Sequence, residues 1–240
     1  MNGLGIVSAF TAESRLLGPS IRRDRSLACL ADGTLLVVSG MGAAAAEQGA
    51  LRLVEAGARA LMSWGVAGGL DPRLAAGTVL LPNEIVSAEG RVLATTRDWR
   101  ERLSGAVASL CTVSAGRLLT AAQPIASPAE KAIAFRQAGA AAVDLESFAV
   151  AAVAERHRLP FLAVRAIIDT AAEGLPRAVA AAAGTDAPEM RFGGVLAAIV
   201  RAPAELPGFI RLVRRYLQAS RALKVVARSG ALAPPGFGHP

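Results

Sequence analysis

Cysteine, histidine and lysine each occur only twice in the 240 residues, and these scarcities exclude several classes of protein. Cys29 and Cys111 both lie in apolar surroundings, which predicts two buried thiols rather than a disulfide framework. His157 and His239 combine with them at no familiar zinc spacing, so no metal site is expected. No apolar run reaches the ~18 residues of a membrane span. Residues 1–10 carry no basic stretch ahead of a long apolar one, so no secretory signal is expected and the simplest compartment is the cytoplasm. With lysine reduced to Lys131 and Lys224, arginine supplies nearly all of the positive charge.

That charge is unevenly placed. Residues 201–240 hold seven bases and one acid, or +6, whereas the first 200 residues hold 19 bases and 18 acids, or +1. The basicity therefore belongs to one C-terminal segment and not to a nucleic-acid-binding surface. Hydrophobic residues make up 53% of the chain. A chain of this length and composition buries a core without disulfides or metals.

Apolar runs of strand length alternate with longer alanine-rich segments. Leu4–Phe10 reads as a first strand, and Leu27–Leu30 with Thr34–Val38 as a hairpin around Asp32-Gly33. Ala43–Ala56 reads as a helix, Ala60–Val66 as a strand, and Thr78–Leu81, Glu84–Ser87 and Arg91–Thr95 as extended segments. A helix over Asp98–Leu110 and a strand over Val113–Thr120 follow. Ser127-Pro128-Ala129-Glu130 is a capping box with proline at the first helical position, opening a helix to about Gln137. Ala142–Leu145 and Pro160–Ile168 read as strands flanking a helix over Ser147–Arg156. The remainder reads as helical, with breaks at Pro188, Pro203 and Pro207. The alternation predicts one α/β domain over residues 1–232, a mixed twisted central sheet flanked by helices, with 233–240 as a flexible tail.

Glycines and acids cluster where strands end. Ser39-Gly-Met-Gly42 and Gly65-Val-Ala-Gly-Gly69 read as turns in which backbone can approach a ligand, although tight strand-to-helix turns need glycine for its own sake. Glu13, Asp144, Glu146 and Asp169 all lie just beyond apolar strands. In open α/β sheets, ligands bind at those carboxyl ends. The plain alternative is that each acid caps a helix or pairs with an arginine such as Arg15 or Arg165.

Taken in order, Gly5-Ile-Val-Ser-Ala-Phe-Thr-Ala-Glu13, Ser39–Gly42, Gly65-Val-Ala-Gly-Gly-Leu70, Gly77-Thr-Val-Leu80, Val143-Asp-Leu-Glu146 and Pro160-Phe-Leu-Ala-Val-Arg-Ala-Ile-Ile-Asp169 resemble the nucleoside phosphorylase superfamily. The resemblance spans about residues 4–172. It is strongest to the branch of methylthioadenosine/adenosylhomocysteine nucleosidases and, within the superfamily, to the hopanoid-associated phosphorylases that act on adenosylhopane. It implies cleavage of the N-glycosidic bond of a purine nucleoside, releasing adenine, without a resident cofactor and in a homo-oligomer. Asp169 then matches the acid that protonates the leaving purine, Glu146 the acid that binds the ribose hydroxyls, and Glu13 the acid that activates water. Leu145 takes the place of a methionine packed on the sugar. Val66, Ala67 and Gly68 fall in the loop beside the sugar and nucleophile.

Three departures bear on mechanism. Ile168 stands where the family often has a serine before the purine-binding aspartate. Pro124 and Ile125 stand where the nucleosidases stack a phenylalanine on adenine. The dedicated phosphate-site motifs are replaced by Phe10-Thr-Ala-Glu13 and Met62-Ser-Trp64, which favours water as nucleophile and leaves inorganic phosphate as the alternative co-substrate. In the C-terminal segment, residues 209–223 place Phe209, Leu212, Val213, Tyr216, Leu217, Ala219 and Leu223 on one helical face. Arg211, Arg214, Arg215, Gln218 and Arg221 fall on the other. Such a helix packs on the domain with its arginines in water, or lies on an anionic membrane surface bearing a lipid-linked nucleoside, at the inner face of the membrane. The competing readings are a soluble methylthioadenosine/adenosylhomocysteine nucleosidase and a nucleoside-binding protein without catalysis.

Overall fold

The apolar strands at the centre of the chain are buried on both faces, which parallel pairing between helices requires. The computed structural model describes residues 3–24, 27–175 and 206–236. Strand β1 (Leu4–Ser8) lies between β4 (Leu35–Val38) and β5 (Ala60–Gly69), parallel to both. β2 (Ser20–Asp24) and β3 (Leu27–Leu30) extend that edge, and β3 and β4 form the expected hairpin. On the other side of β5, β12 (Phe161–Asp169) runs parallel to it from Leu61 to Gly68. β6 (Val79–Leu80) pairs with β12 and with β9 (Val113–Ser114).

The ten-residue β5 carries the sheet across the molecule. β1 accompanies it only to Trp64; at Gly68 and Gly69 the antiparallel β11 (Ala140–Asp144) pairs with it. β11 then continues into β10 (Arg117–Thr120), β7 (Glu84–Ser87) and β8 (Val92–Ala94). The result is the mixed sheet that the sequence predicts. Helix α1 (Thr11–Ser14) follows β1, α2 (Ala43–Glu55) and α5 (Ser147–Arg156) pack together over the sheet, and α3 (Arg97–Val107) and α4 (Pro128–Ala138) complete the cover with α6 (Leu206–Ala227). The capping box is present: Ser127 Oγ accepts from the Glu130 N–H, and Glu130 Oε2 accepts from the Ser127 N–H at 2.9 Å.

Several expectations change. Residues 65–69 are strand, not loop, because β12 and β11 continue to supply hydrogen bonds past Gly65. Val113–Thr120 is two short strands separated at Gly116, whose φ of 134° turns the chain. Pro207 does not break a helix; it lies in the first turn of α6, where its missing N–H costs nothing. The breaks expected at Pro188 and Pro203 lie outside the described residues. Cys29 and Cys111 are free thiols as expected but only half-buried.

The amphipathic reading of residues 209–223 needs redrawing. The buried face of α6 is Ala219, Ala222, Leu223 and Val226, while Ile210, Val213 and Leu217 are exposed. Arg215 is not in water as expected, but is turned inward and pairs with Glu173 at 2.7 Å. Beyond α6, Ala231 and Leu232 pack on the core. Trp99 Nε1 donates to the Leu232 carbonyl at 2.9 Å, and Arg102 donates to that of Ala231. Residues 237–240 lie outside the described residues.

Candidate active site

A cavity of about 150 Å³ opens where β1, β5, β11 and β12 end. Its lining includes every residue singled out from the sequence: Glu13, Val66, Ala67, Gly68, Ile125, Leu145, Glu146, Ile168 and Asp169. Distant segments deliver the three acids, and a different local device aims each one.

Glu13 sits on α1, one short turn beyond β1. Its own backbone N–H bonds to the Phe10 carbonyl, and its carbonyl accepts from Trp64 Nε1 at 3.2 Å. The carboxyl is therefore held from behind and enters the pocket. Oε1 accepts from the Val66 N–H and Oε2 from Ser8 Oγ, both at 3.1 Å. Burial pushes its pKa up, opposed by the Arg165 guanidinium and by these hydrogen bonds.

Glu146 stands at the junction of β11 and α5, yet its side chain does not cap the helix. Asp144 does so instead, accepting from the Ser147 N–H. Glu146 is left free to accept from the Gly42 N–H at 3.0 Å, which gives the Ser39–Gly42 turn a place in the site. Burial first, and then the neighbouring Asp144 carboxylate, raise its pKa to about 7 against the pull of Arg165.

Asp169 ends β12 at a β-bulge. The register with β5 steps from Ile167 opposite Ala67 to Asp169 opposite Gly68, leaving Ile168 unpaired. In a regular strand, adjacent side chains point to opposite faces; the bulge re-aims them, so Ile168 and Asp169 both line the pocket. Burial raises the Asp169 pKa, while the Lys131 ammonium lowers it.

Two buried cations complete the cluster: Arg165, named from the sequence only as a possible partner for an acid, and Lys131, which was missed. Arg165 lies on β12 opposite Gly65 of β5, and its side chain crosses the bare glycine. A Cβ at residue 65 would stand 2.7 Å from both Arg165 Nη1 and Glu13 Oε2. Arg165 Nε donates to Asp144 Oδ2 at 2.8 Å, and Nη2 donates to Ser63 Oγ and Ser147 Oγ; Glu146 Oε2 lies 3.7 Å from Nη2. The signal available was an arginine inside an otherwise apolar strand. Lys131, from the first turns of α4, is wholly buried and forms an ion pair with Asp169 Oδ2. One of only two lysines, it carried no pattern that marked it. The plain reading of the acids holds fully for Asp144, which both caps a helix and pairs with Arg165, and in part for Glu146, which lies 3.7 Å from the same guanidinium.

The fold has relatives among known proteins. The phosphorylase superfamily profile matches residues 30–201, well over half of the chain. The chain belongs to the phosphorylase superfamily. Among solved structures, one from Francisella philomiragia, assigned as a 5'-methylthioadenosine/S-adenosylhomocysteine nucleosidase, superposes with a TM-score of 0.70. It is 18% identical, over 95% of this chain and 98% of the other. A variant of the Helicobacter pylori nucleosidase with 5'-methylthioadenosine in its active site gives 0.67 at 16% identity, over 93% and 96%. The futalosine hydrolase of the same organism gives 0.67 at 15%, again over 93% and 96%. No curated protein matches the chain by sequence. The superfamily fold thus frames a pocket lined by four acids, Glu13, Asp144, Glu146 and Asp169. Among the described residues, no group of histidines, cysteines and acids is placed to hold a metal.

Proposed function

We propose that this protein cleaves the N-glycosidic bond of a purine nucleoside, with water as the nucleophile. The observation that carries the reading is the convergence of Glu13, Glu146 and Asp169 in one cavity of a phosphorylase-superfamily fold. Heterolysis of a glycosidic bond leaves positive charge on the sugar and an electron pair on the base. Carboxylates near the sugar stabilise the first, and an acid at the base neutralises the second. Glu146 binds the ribose hydroxyls, and Asp169 passes a proton to a ring nitrogen of the base. Glu13, fixed by Ser8 and Val66, takes the proton of the attacking water. Leu145 and Val66 flank the sugar; Pro124, Ile125 and Ile168 form apolar walls for the base.

Water is favoured over phosphate by the state of Arg165. It is the one basic residue among those described that line the pocket, and its Nε and Nη2 are already committed to Asp144, Ser63 and Ser147. The structural neighbour that holds 5'-methylthioadenosine supports an adenine nucleoside as substrate. A lipid-linked nucleoside such as adenosylhopane is favoured by one observation. The start of α6 exposes Ile210, Val213 and Leu217 beside the exposed Arg211, Arg214 and Arg221. Aliphatic and cationic groups together suit an anionic lipid surface. Among the described residues, no helix is long and apolar enough to cross a membrane.

The test is product analysis in phosphate-free buffer, with methylthioadenosine, adenosylhomocysteine and vesicle-borne adenosylhopane. Adenine and the free sugar are expected, and Glu13→Gln should abolish their release. Strict dependence on phosphate, with a sugar 1-phosphate as product, would overturn hydrolysis. Turnover of the soluble nucleosides alone would overturn the lipid-linked substrate. Release of no base from any of them would overturn the enzyme reading.

A further inference from the structure

A lysine with no exposed surface is rare and must be paired. Lys131 Nζ does more than neutralise Asp169. It forms an ion pair with Oδ2 and also donates to the carbonyl of the next residue, Thr170, at 2.9 Å. Both ends of this grip are fixed. On the lysine side, the Ser127–Glu130 capping box sets the start of α4, three residues before Lys131. On the aspartate side, Thr170 bonds to Glu173 through its N–H and its hydroxyl, and Leu175 donates to the Ala126 carbonyl at 2.8 Å. The chain after β12 is thereby tied to the segment that leads into α4. Among the described residues, Oδ1 of Asp169 accepts no hydrogen bond, and the residue lines the cavity.

We propose that Lys131 is a positioning residue for Asp169: it occupies Oδ2, leaves Oδ1 to the departing base, and neutralises the carboxylate that forms when Asp169 gives up its proton. The inference rests on the function proposed above. In the reacting complex Asp169 carries a solvent-derived proton on Oδ1 while Oδ2 still accepts from Lys131. As the C–N bond breaks, its electron pair goes to the base and a ring nitrogen of the base takes the Oδ1 proton. The new carboxylate is left beside the lysine ammonium, whose own protons do not move. The charge is thus created at a place already furnished with its counter-charge, the arrangement that favours a transition state. Other charges around Asp169 come from Glu173 in the following turn and Arg215 on α6. Glu13, Asp144, Glu146 and Arg165 lie among the cavity-lining residues.

Two readouts test this on the full-length protein. The first follows the aspartate carboxyl carbons by carbon-13 NMR against pH, with Asp169→Asn identifying the resonance. Loss of an adjacent positive charge should move the Asp169 titration upward by about 1–3 pH units in Lys131→Met. The second is the pH profile of base release. In Lys131→Met its basic limb should move upward with that titration, kcat should fall at least ~10-fold on the acid plateau, and KM should change little. Lys131→Arg, which keeps the charge, should recover part of kcat. Lys131→Gln makes the same comparison should Lys131→Met not fold. An Asp169 titration unmoved in the folded variants would overturn the proposal, as would a full wild-type kcat in Lys131→Met. A wild-type protein that cleaves no nucleoside overturns the proposed function instead, and the carboxyl titration still decides whether Lys131 sets the state of Asp169.

Discussion

The two ends of the cavity solve the same electrostatic problem with different ratios. At the end proposed to take the base, one buried cation, Lys131, meets one carboxylate, Asp169, in a direct ion pair. At the end proposed to take the sugar, one buried cation, Arg165, serves three acids: Asp144 at 2.8 Å, Glu146 at 3.7 Å, and Glu13, whose carboxyl adjoins the guanidinium across Gly65. Lysine suits the first as a compact point charge. Arginine suits the second because its planar fork bonds several oxygens at once. The shortage of positive charge at the sugar end shows in Glu146, which burial and Asp144 hold at a pKa of about 7. In the proposed reaction that shortage has a use, since it leaves negative charge where a sugar cation develops.

The largest effect should come from removing the shared cation. Arg165→Met leaves three buried carboxyls without a counter-charge and removes the donor that Ser63 and Ser147 share. Breaking a buried pair of this kind costs about 3–5 kcal/mol. Urea unfolding should show a loss of that order, partly recovered at low pH as the acids protonate. A variant as stable as wild type at neutral pH would mean that the acids are neutral in the native protein, and the contrast between the two ends would vanish.

Next in size is the acid at the base end. Asp169→Asn keeps the shape and removes the proton, so base release should fall by about 10²–10⁴-fold. A near-normal rate would move the proton donor elsewhere in the pocket.

The smallest effect separates binding from folding at Glu146. Glu146→Gln removes the charge-assisted partner proposed for the ribose hydroxyls, worth about 1.5–3 kcal/mol, so kcat/KM should drop at least ~10-fold. Stability should move the other way. The Glu146 pKa is raised from 4.5 to about 7, so its contribution is complete below pH 4.5 and is lost as pH rises through about 7. The loss is at most about 3 kcal/mol. Glu146→Gln should therefore raise Tm at pH 8 and change it little at pH 4. Equal shifts at both pH values would show that the glutamate is not strained by ionisation.

The sequence foretold the acids far better than the cations. Glu13, Glu146 and Asp169 lie at strand ends, where α/β topology collects polar residues, and all three line the pocket. Arg165 and Lys131 offered no such position. One lies within an apolar strand and the other on a helix with neighbours of mixed character. Their meaning comes only from what stands opposite: Gly65 for Arg165, and the end of β12 for Lys131. The capping box, the hairpin and the helix over Ser147–Arg156 were legible because local hydrogen bonding and spacing decide them. The length of β5 was not, since Gly65, Gly68 and Gly69 read as a turn until partner strands are in place. The face of α6 was misjudged for the same reason. Arg215 was assigned to water, and it turns inward because Glu173 waits there.

Gly65 reaches beyond this one chain. A single methyl group at that position would occupy the gap through which Arg165 and Glu13 face each other, so the arrangement is built on a missing carbon. Position 65 is then a one-letter test for sorting sequences that share the fold. In those that carry a side chain there, Arg165 or Glu13 must stand elsewhere, and their pockets should be searched for a rearranged charge pairing.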